Sequence, residues 1–241
     1  MYTNGIVIPA GDSAVTFEVG EGISPEIQKR VQSFTIALEH EQPHGIDEVF
    51  PTYRSLFIIY NPLILRFEDL ERALRDLESK LDNVPEMPKR TVEIPTVYGG
   101  DAGPDLEFVA HNAGLCVDQV VKLHAGTDYL VYMMGFSPGF TYLGGLPELI
   151  ATPRLTTPRV KVPSGSVGIA GSQTGVYPSE SPGGWRLIGR TPIPLFNPAQ
   201  IPPTIVEPGE YLRFVSITVD ECAQIVNRIF DGTFQITECF S

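Results

Sequence analysis

The 241-residue sequence is poor in the residues that most often announce metal or thiol chemistry. Its three cysteines, Cys116, Cys222 and Cys239, are odd in number and form no C-x-x-C pair. Its four histidines are His40, His44, His111 and His124; His40-Glu-Gln-Pro-His44 has the H-E-x-x-H spacing, but Pro43 interrupts the helix such a pair needs, and no structural zinc site is expected. No apolar run approaches the eighteen residues of a membrane span. The first thirty residues lack a basic start followed by an apolar stretch, so no secretory signal is expected. The thiols then read as reduced, in a cytoplasmic protein. Basic residues are also scarce: 17 stand against 29 acidic ones, a net charge of −12. Binding to a phosphate backbone needs clustered Lys and Arg, so nucleic acid is excluded as a general partner. There is no G-x-x-x-x-G-K-[ST] loop, and with it no Walker-type ATP site.

What is present is globular: 42% hydrophobic and 19% charged residues, with 23 Gly and 22 Pro. The pattern predicts two domains, 1–88 and 89–241. In the first, alternation at Ile6–Ile8 and Ala14–Val19 predicts two strands joined at Ala10-Gly11-Asp12. Ser24-Pro25 opens a helix, Ser as N-cap and Pro where its missing N–H costs nothing. Ile27, Val31, Phe34 and Leu38 make its apolar face. Val49-Phe50 and Leu56–Tyr60 predict a strand pair. Leu70, Leu74, Leu77 and Leu81 predict a second helix, and Pro85 and Pro88 break the chain. The first domain is therefore expected to be a small α/β sandwich.

The second domain opens with a strand, Val92–Val97. Asp105 is placed as the cap of a helix, Leu106–Asn112, and Val117–His124 forms another, closed by Gly126. Asp128–Met134 reads as a buried strand. Residues 135–203 differ in kind, with 11 Gly, 12 Pro, five basic residues and two acidic ones. Short strands such as Ser166–Ala170 and Trp185–Ile188, separated by turns, suit a rolled β-barrel. Tyr211–Ile217 adds a strand. Thr218–Glu221 is a capping box before the helix Cys222–Phe230, and Thr233–Cys239 is expected to be the last strand. The fold class is α+β.

Few segments carry legible chemistry. Gly135-Phe-Ser-Pro-Gly139 superficially fits a nucleophile elbow, but Pro138 removes the N–H an oxyanion hole needs, so Ser137 is not expected to be an acyl-enzyme nucleophile. Arg154 and Arg159 sit in two Thr-Pro-Arg repeats. Stiff loops of this kind suit presentation to a carboxylate or a phosphate; equally, each arginine could pair with an acid and only tie loops together. His124 lies on the apolar side of its helix, as a core imidazole or as an acid–base group facing a cleft.

Several runs together carry a resemblance: Met134-Gly-Phe-Ser-Pro-Gly-Phe-Thr-Tyr-Leu-Gly-Gly-Leu146, Ala151-Thr-Pro-Arg-Leu-Thr-Thr-Pro-Arg159, Val162–Pro178 and Ser181–Thr191. With Gly11–Ala14 and Pro51–Leu56, they resemble the allophanate hydrolase subunit 1 family over essentially the whole chain. Its members include KipI-type kinase inhibitors and one of the component proteins of bacterial 5-oxoprolinases. The resemblance implies a C-terminal cyclophilin-like barrel and a second cyclophilin-like subunit (allophanate hydrolase subunit 2 type) as partner. It also implies a third subunit, and ATP used by the complex to open 5-oxoproline to glutamate. A sensor histidine kinase is the partner if the role is inhibitory. A urea-type carboxyl transfer is a third possibility, in which biotin would come from a partner. On the hydrolase reading, Arg154, Arg159 and Arg190 would hold a carboxylate or phosphoryl group. The backbone around Gly165 and Ser166, in the same shared run as Gln173, would add an anion nest. His124, Tyr98 and Asp101 would move protons.

Overall fold

The computed structural model describes residues 2–81 and 89–240. They fall into two compact units, Met1–Met87 and Pro88–Ser241. The prolines expected to break the chain, Pro85 and Pro88, lie outside the described residues.

The first unit is an antiparallel sheet in the order β1-β2-β4-β3, made of β1 (Ile6–Pro9), β2 (Ala14–Glu18), β3 (Ile46–Pro51) and β4 (Ser55–Tyr60). Alternation sends Val15, Phe17, Leu56 and Ile58 to one face. Helices α1 (Pro25–Glu41) and α2 (Phe67–Glu78) share one core with that face, and Phe17 meets Phe34 edge-on at 4.8 Å. Ser24 Oγ accepts the Ile27 N–H, as a cap should. α2 stops at Glu78, one turn earlier than the leucine spacing predicts; Leu81 still packs against the core from beyond the helix end.

The second unit is a closed seven-stranded barrel with three α-helices among the described residues. Its strands are β5 (Arg90–Tyr98), β6 (Asp128–Met134), β7 (Thr141–Gly144), β9 (Ser166–Ala170), β10 (Gln173–Val176), β12 (Arg186–Arg190) and β13 (Tyr211–Ser216). They run in the order β12-β9-β10-β7-β6-β13-β5, and β5 closes on β12 through Gly189↔Tyr98 and Arg190↔Val97. Only β5 and β13 pair in parallel among these neighbours. Closure leaves few edges unpaired. Helices α3 (Leu106–Ala113) and α4 (Val117–Ala125) bury Leu106, Val109 and Val120 in the barrel core, against residues such as Ile94, Val131, Ile188 and Phe214. A separate two-stranded antiparallel sheet pairs β8 (Arg159–Val162) with β11 (Ser181–Gly183), the chain passing through β9 and β10 between them.

The structure departs from three sequence expectations. Helix α5 (Val219–Phe230) starts directly after Thr218 of the capping box, rather than at Cys222. The final strand is only β14, Glu238–Phe240. It pairs with the start of β5, where the Arg90 guanidinium binds Glu210 at 2.6 Å and Glu238 at 2.8 Å. Asp105 stands at the N-cap position of α3, yet its side chain makes no capping bond. It reaches instead across the unit to β12.

Candidate functional site: a buried relay and an arginine cluster

The last residue of β5, Tyr98, faces α4 across a T-shaped contact with His124. Tyr98 Oη lies 2.7 Å from His124 Nδ1, and His124 Nε2 lies 2.8 Å from Thr174 Oγ1 on β10. Thr174 donates its own hydrogen to the Gly168 carbonyl at 3.0 Å. Its oxygen must therefore accept from Nε2–H, which leaves Nδ1 to accept from the tyrosine. The chain of donors thus runs Tyr98 → His124 → Thr174 → Gly168. His124 is fully buried, stacked near Phe214 at 4.5 Å and Tyr129 at 5.4 Å. Burial alone pushes its pKa down to about 3, and desolvation lifts the Tyr98 hydroxyl well above its ordinary value. The imidazole is consequently neutral, and its two nitrogens are both engaged. Tyr98 also lines a cavity of about 570 Å³ between the Gly99–Gly103 turn and the first turns of α3 and α4.

This buried imidazole makes stability depend on pH. Its folded pKa lies below the unfolded value, so the unfolded chain binds the extra proton, and stability falls as pH drops from about 6.5 towards about 3. The expected contribution is about 1.4 kcal/mol per pH unit within that window. Urea unfolding of the wild type and of His124→Phe at a series of pH values isolates it. The variant's stability should fall less steeply below pH 6.5; parallel profiles would show that His124 is not the titrating group.

The arginines form a second arrangement around Trp185. Arg159 donates from Nη1 to the Trp185 carbonyl at 3.2 Å and from Nη2 to Asp105 Oδ1 at 2.9 Å. Asp105 Oδ2 accepts the Leu187 N–H at 2.7 Å, and the residue is only 7% exposed. Arg186 approaches the same carboxylate at 4.0 Å, donates from Nε to the Pro153 carbonyl and stacks over the Phe108 ring at 3.7 Å. The Arg154 guanidinium lies over the Trp185 ring at 5.9 Å. Arg154 and Arg159 also bear electrostatically on the hydroxyl of Tyr177, which burial raises above its ordinary pKa. Tyr177, Trp185 and Phe140 form the aromatic floor beneath this group.

The remaining sequence candidates lie elsewhere. Arg190 is four residues beyond Arg186 on β12, roughly 13 Å along a strand. Its Nε donates to the Ser164 carbonyl. The anion nest at Gly165-Ser166 is not formed. The Gly165 N–H donates to the Tyr177 carbonyl at 2.7 Å and the Ser166 N–H to Pro163, so neither faces a ligand. Gly165 is there for space: at φ 80° a Cβ would stand 2.2 Å from the Thr191 carbonyl oxygen. Gln173 opens β10 after the Gly171-Ser172 turn, and Asp101 is exposed in the turn after β5. Ser137 sits in a loop between β6 and β7, not in a strand-to-helix elbow. The residues that sequence reading passed over are Asp105, Arg186 and Thr174.

Residues 6–206 match the family model described as carboxyltransferase domain, subdomain C and D. The chain belongs to that family. Within the family it is 41% identical to the B component of the Bacillus subtilis 5-oxoprolinase over 218 residues, covering 86% of this chain and 91% of that protein. It is 44% identical to the B component of the Escherichia coli O157:H7 5-oxoprolinase over 205 residues, covering 85% and 93%. The crystal structure of a conserved uncharacterized protein from Pyrococcus horikoshii is 50% identical, covers 90% of this chain and 99% of that one, and superposes with a TM-score of 0.54. These findings agree with the resemblance to the allophanate hydrolase subunit 1 family. Both the relay and the arginine cluster lie inside the matched carboxyltransferase region, whereas α5 and β14 fall beyond it.

Proposed function

We propose that this chain is one subunit of an ATP-dependent 5-oxoprolinase, a complex that opens 5-oxo-L-proline to L-glutamate with two other subunits. The observation that carries the reading is identity of 41–44% to two 5-oxoprolinase components, over more than 90% of their length. A second cyclophilin-like subunit and a third subunit complete the assembly, which works in the cytoplasm. The absence of a Walker loop in the sequence fits a division of labour, with the nucleotide bound at least partly by another subunit.

The chemistry sets what the protein must supply. The substrate is a stable lactam that carries a free carboxylate. Transfer of the ATP γ-phosphoryl group to the amide oxygen activates the ring carbon. Water then adds to that carbon and the C–N bond breaks, the nitrogen taking a proton, which leaves an acyl phosphate; a second water displaces phosphate and gives the carboxylate. Negative charge develops throughout, and fixed cationic donors stabilise it. Arg154 and Arg159 are suited to that task. Tyr98 and His124 are suited to holding one hydroxyl in a fixed orientation behind the cavity wall, because the neutral imidazole accepts the tyrosine's hydrogen bond at Nδ1. Deleting the coding sequence should raise cellular 5-oxoproline and remove ATP-dependent glutamate release from extracts. Unchanged levels of both would contradict the reading.

A further inference from the structure

The arginine cluster holds more positive charge than its own partners cancel. Three guanidiniums, Arg154, Arg159 and Arg186, converge on the Pro153 and Trp185 carbonyls and the Trp185 ring. One carboxylate, Asp105, stands among them, and both its oxygens are occupied by Leu187 N–H and Arg159. The nearby Lys161 pairs with Glu180 and adds no net charge. The cluster therefore keeps about two positive charges in excess, in a chain whose net charge is −12.

Donors are in excess as well. A guanidinium offers five N–H groups in a rigid fork. Arg159 spends one on a main-chain carbonyl and one on Asp105, and Arg186 spends one on Pro153. Arg154 is exposed and, among the described residues, makes no hydrogen bond; only the indole face steadies it. Burying Asp105 costs free energy unless its charge is compensated, and the compensation here also fixes two of the arginines in place. Such a layout does more than tie loops together, for which a single arginine per carboxylate would suffice.

We propose that Arg154, Arg159 and Arg186, held around Trp185 by Asp105, form a binding site for a small oxyanion. Arg154 is its mobile arm, and Asp105 is a positioning residue that touches no ligand. In the 5-oxoprolinase reading, on which only the ligand's identity rests, the oxyanion is the lactam carboxylate or the transferred phosphoryl group. Arg186 takes the place that sequence reasoning gave to Arg190.

Trp185 is the only tryptophan in the chain, so its fluorescence reports on this site directly. Titrating the full chain with inorganic phosphate and, separately, with 5-oxo-L-proline should change the emission with at least one of them. A response to phosphate alone marks a phosphoryl site, and a response to 5-oxoproline alone marks a carboxylate site. Mutual competition marks one site for both. Arg154→Ala, which removes no hydrogen bond within the described residues, should weaken the effective ligand by about tenfold or more. Arg186→Gln should weaken it similarly, Arg154→Lys should restore only part of the affinity, and Lys161→Ala should change nothing. No emission change with either anion, or equal affinity in Arg154→Ala and wild type, would overturn the site. The 5-oxoprolinase reading fails by a separate outcome: anion binding intact, with no glutamate formed by the assembled complex.

Discussion

Asp105→Ala should destabilise the barrel unit by about 3–5 kcal/mol, the cost of breaking a buried ion pair from one side. The substitution strips the Leu187 N–H of its acceptor in the buried part of β12 and leaves Arg159 facing only a carbonyl. It also loosens the junction of α3 with β12, which keeps only the backbone bond from the residue 105 N–H to the Leu187 carbonyl. Asp105→Asn should cost less, about 1–3 kcal/mol. Its amide oxygen can still accept from Leu187, while its NH2 group points a donor at Arg159. Urea unfolding followed by Trp185 emission reads the barrel unit specifically, since the indole belongs to that unit. Arg159→Ala should be milder than Asp105→Ala, because it leaves the carboxylate its Leu187 bond and a neighbouring Arg186. Equal losses from the two substitutions would show that the carboxylate is not the organising group.

The second large effect is expected at His124. Replacement by alanine removes a fully buried ring that touches Tyr98, Tyr129 and Phe214, and it orphans the Tyr98 hydroxyl. Cavity and lost hydrogen bonds together are expected to cost about 3–5 kcal/mol. His124→Phe keeps most of the volume and should recover part of that loss. The Tyr98 O–H then remains without its acceptor, at about 1–3 kcal/mol. Ranking the alanine, phenylalanine and wild-type chains by denaturant midpoint separates packing from hydrogen bonding. A phenylalanine variant as stable as wild type would mean that the relay contributes nothing to the fold.

How much of this was legible depended on how far each contact reaches along the chain. The Ser24-Pro25 helix start and the Thr218–Glu221 capping box are local devices, written within four residues, and both stand where the sequence puts them. The apolar faces of α1 and of β2 and β4 follow from period alone. Asp105 shows the opposite case. A carboxylate before a helix satisfies the local rule for a cap, but its partners lie 54 and 82 positions away, and no local pattern encodes them. The tautomer of His124 likewise depends on Thr174, 50 positions on. Arg154 and Arg159 stood out because prolines frame them. Arg186 lies inside an apolar strand run, Trp185–Ile188, that advertises packing rather than chemistry. Arg190, on the same strand, has the better sequence setting and the wrong end of the barrel. The Gly165-Ser166 turn has the composition of an anion nest, but the chain spends both N–H groups on its own carbonyls, which only the fold could reveal.

The proposed function makes this chain an obligatory part of an ATP-driven lactam-opening complex. The most direct measurement mixes it with the second cyclophilin-like subunit and the third subunit, and follows glutamate release from 5-oxo-L-proline with and without ATP. Each protein is omitted in turn. Glutamate is expected only when ATP and this chain are both present, with a loss of at least about tenfold in rate when Arg159→Ala replaces the wild type. A folded three-part complex that releases no glutamate, or one that releases it equally well without this chain, would contradict the proposed function.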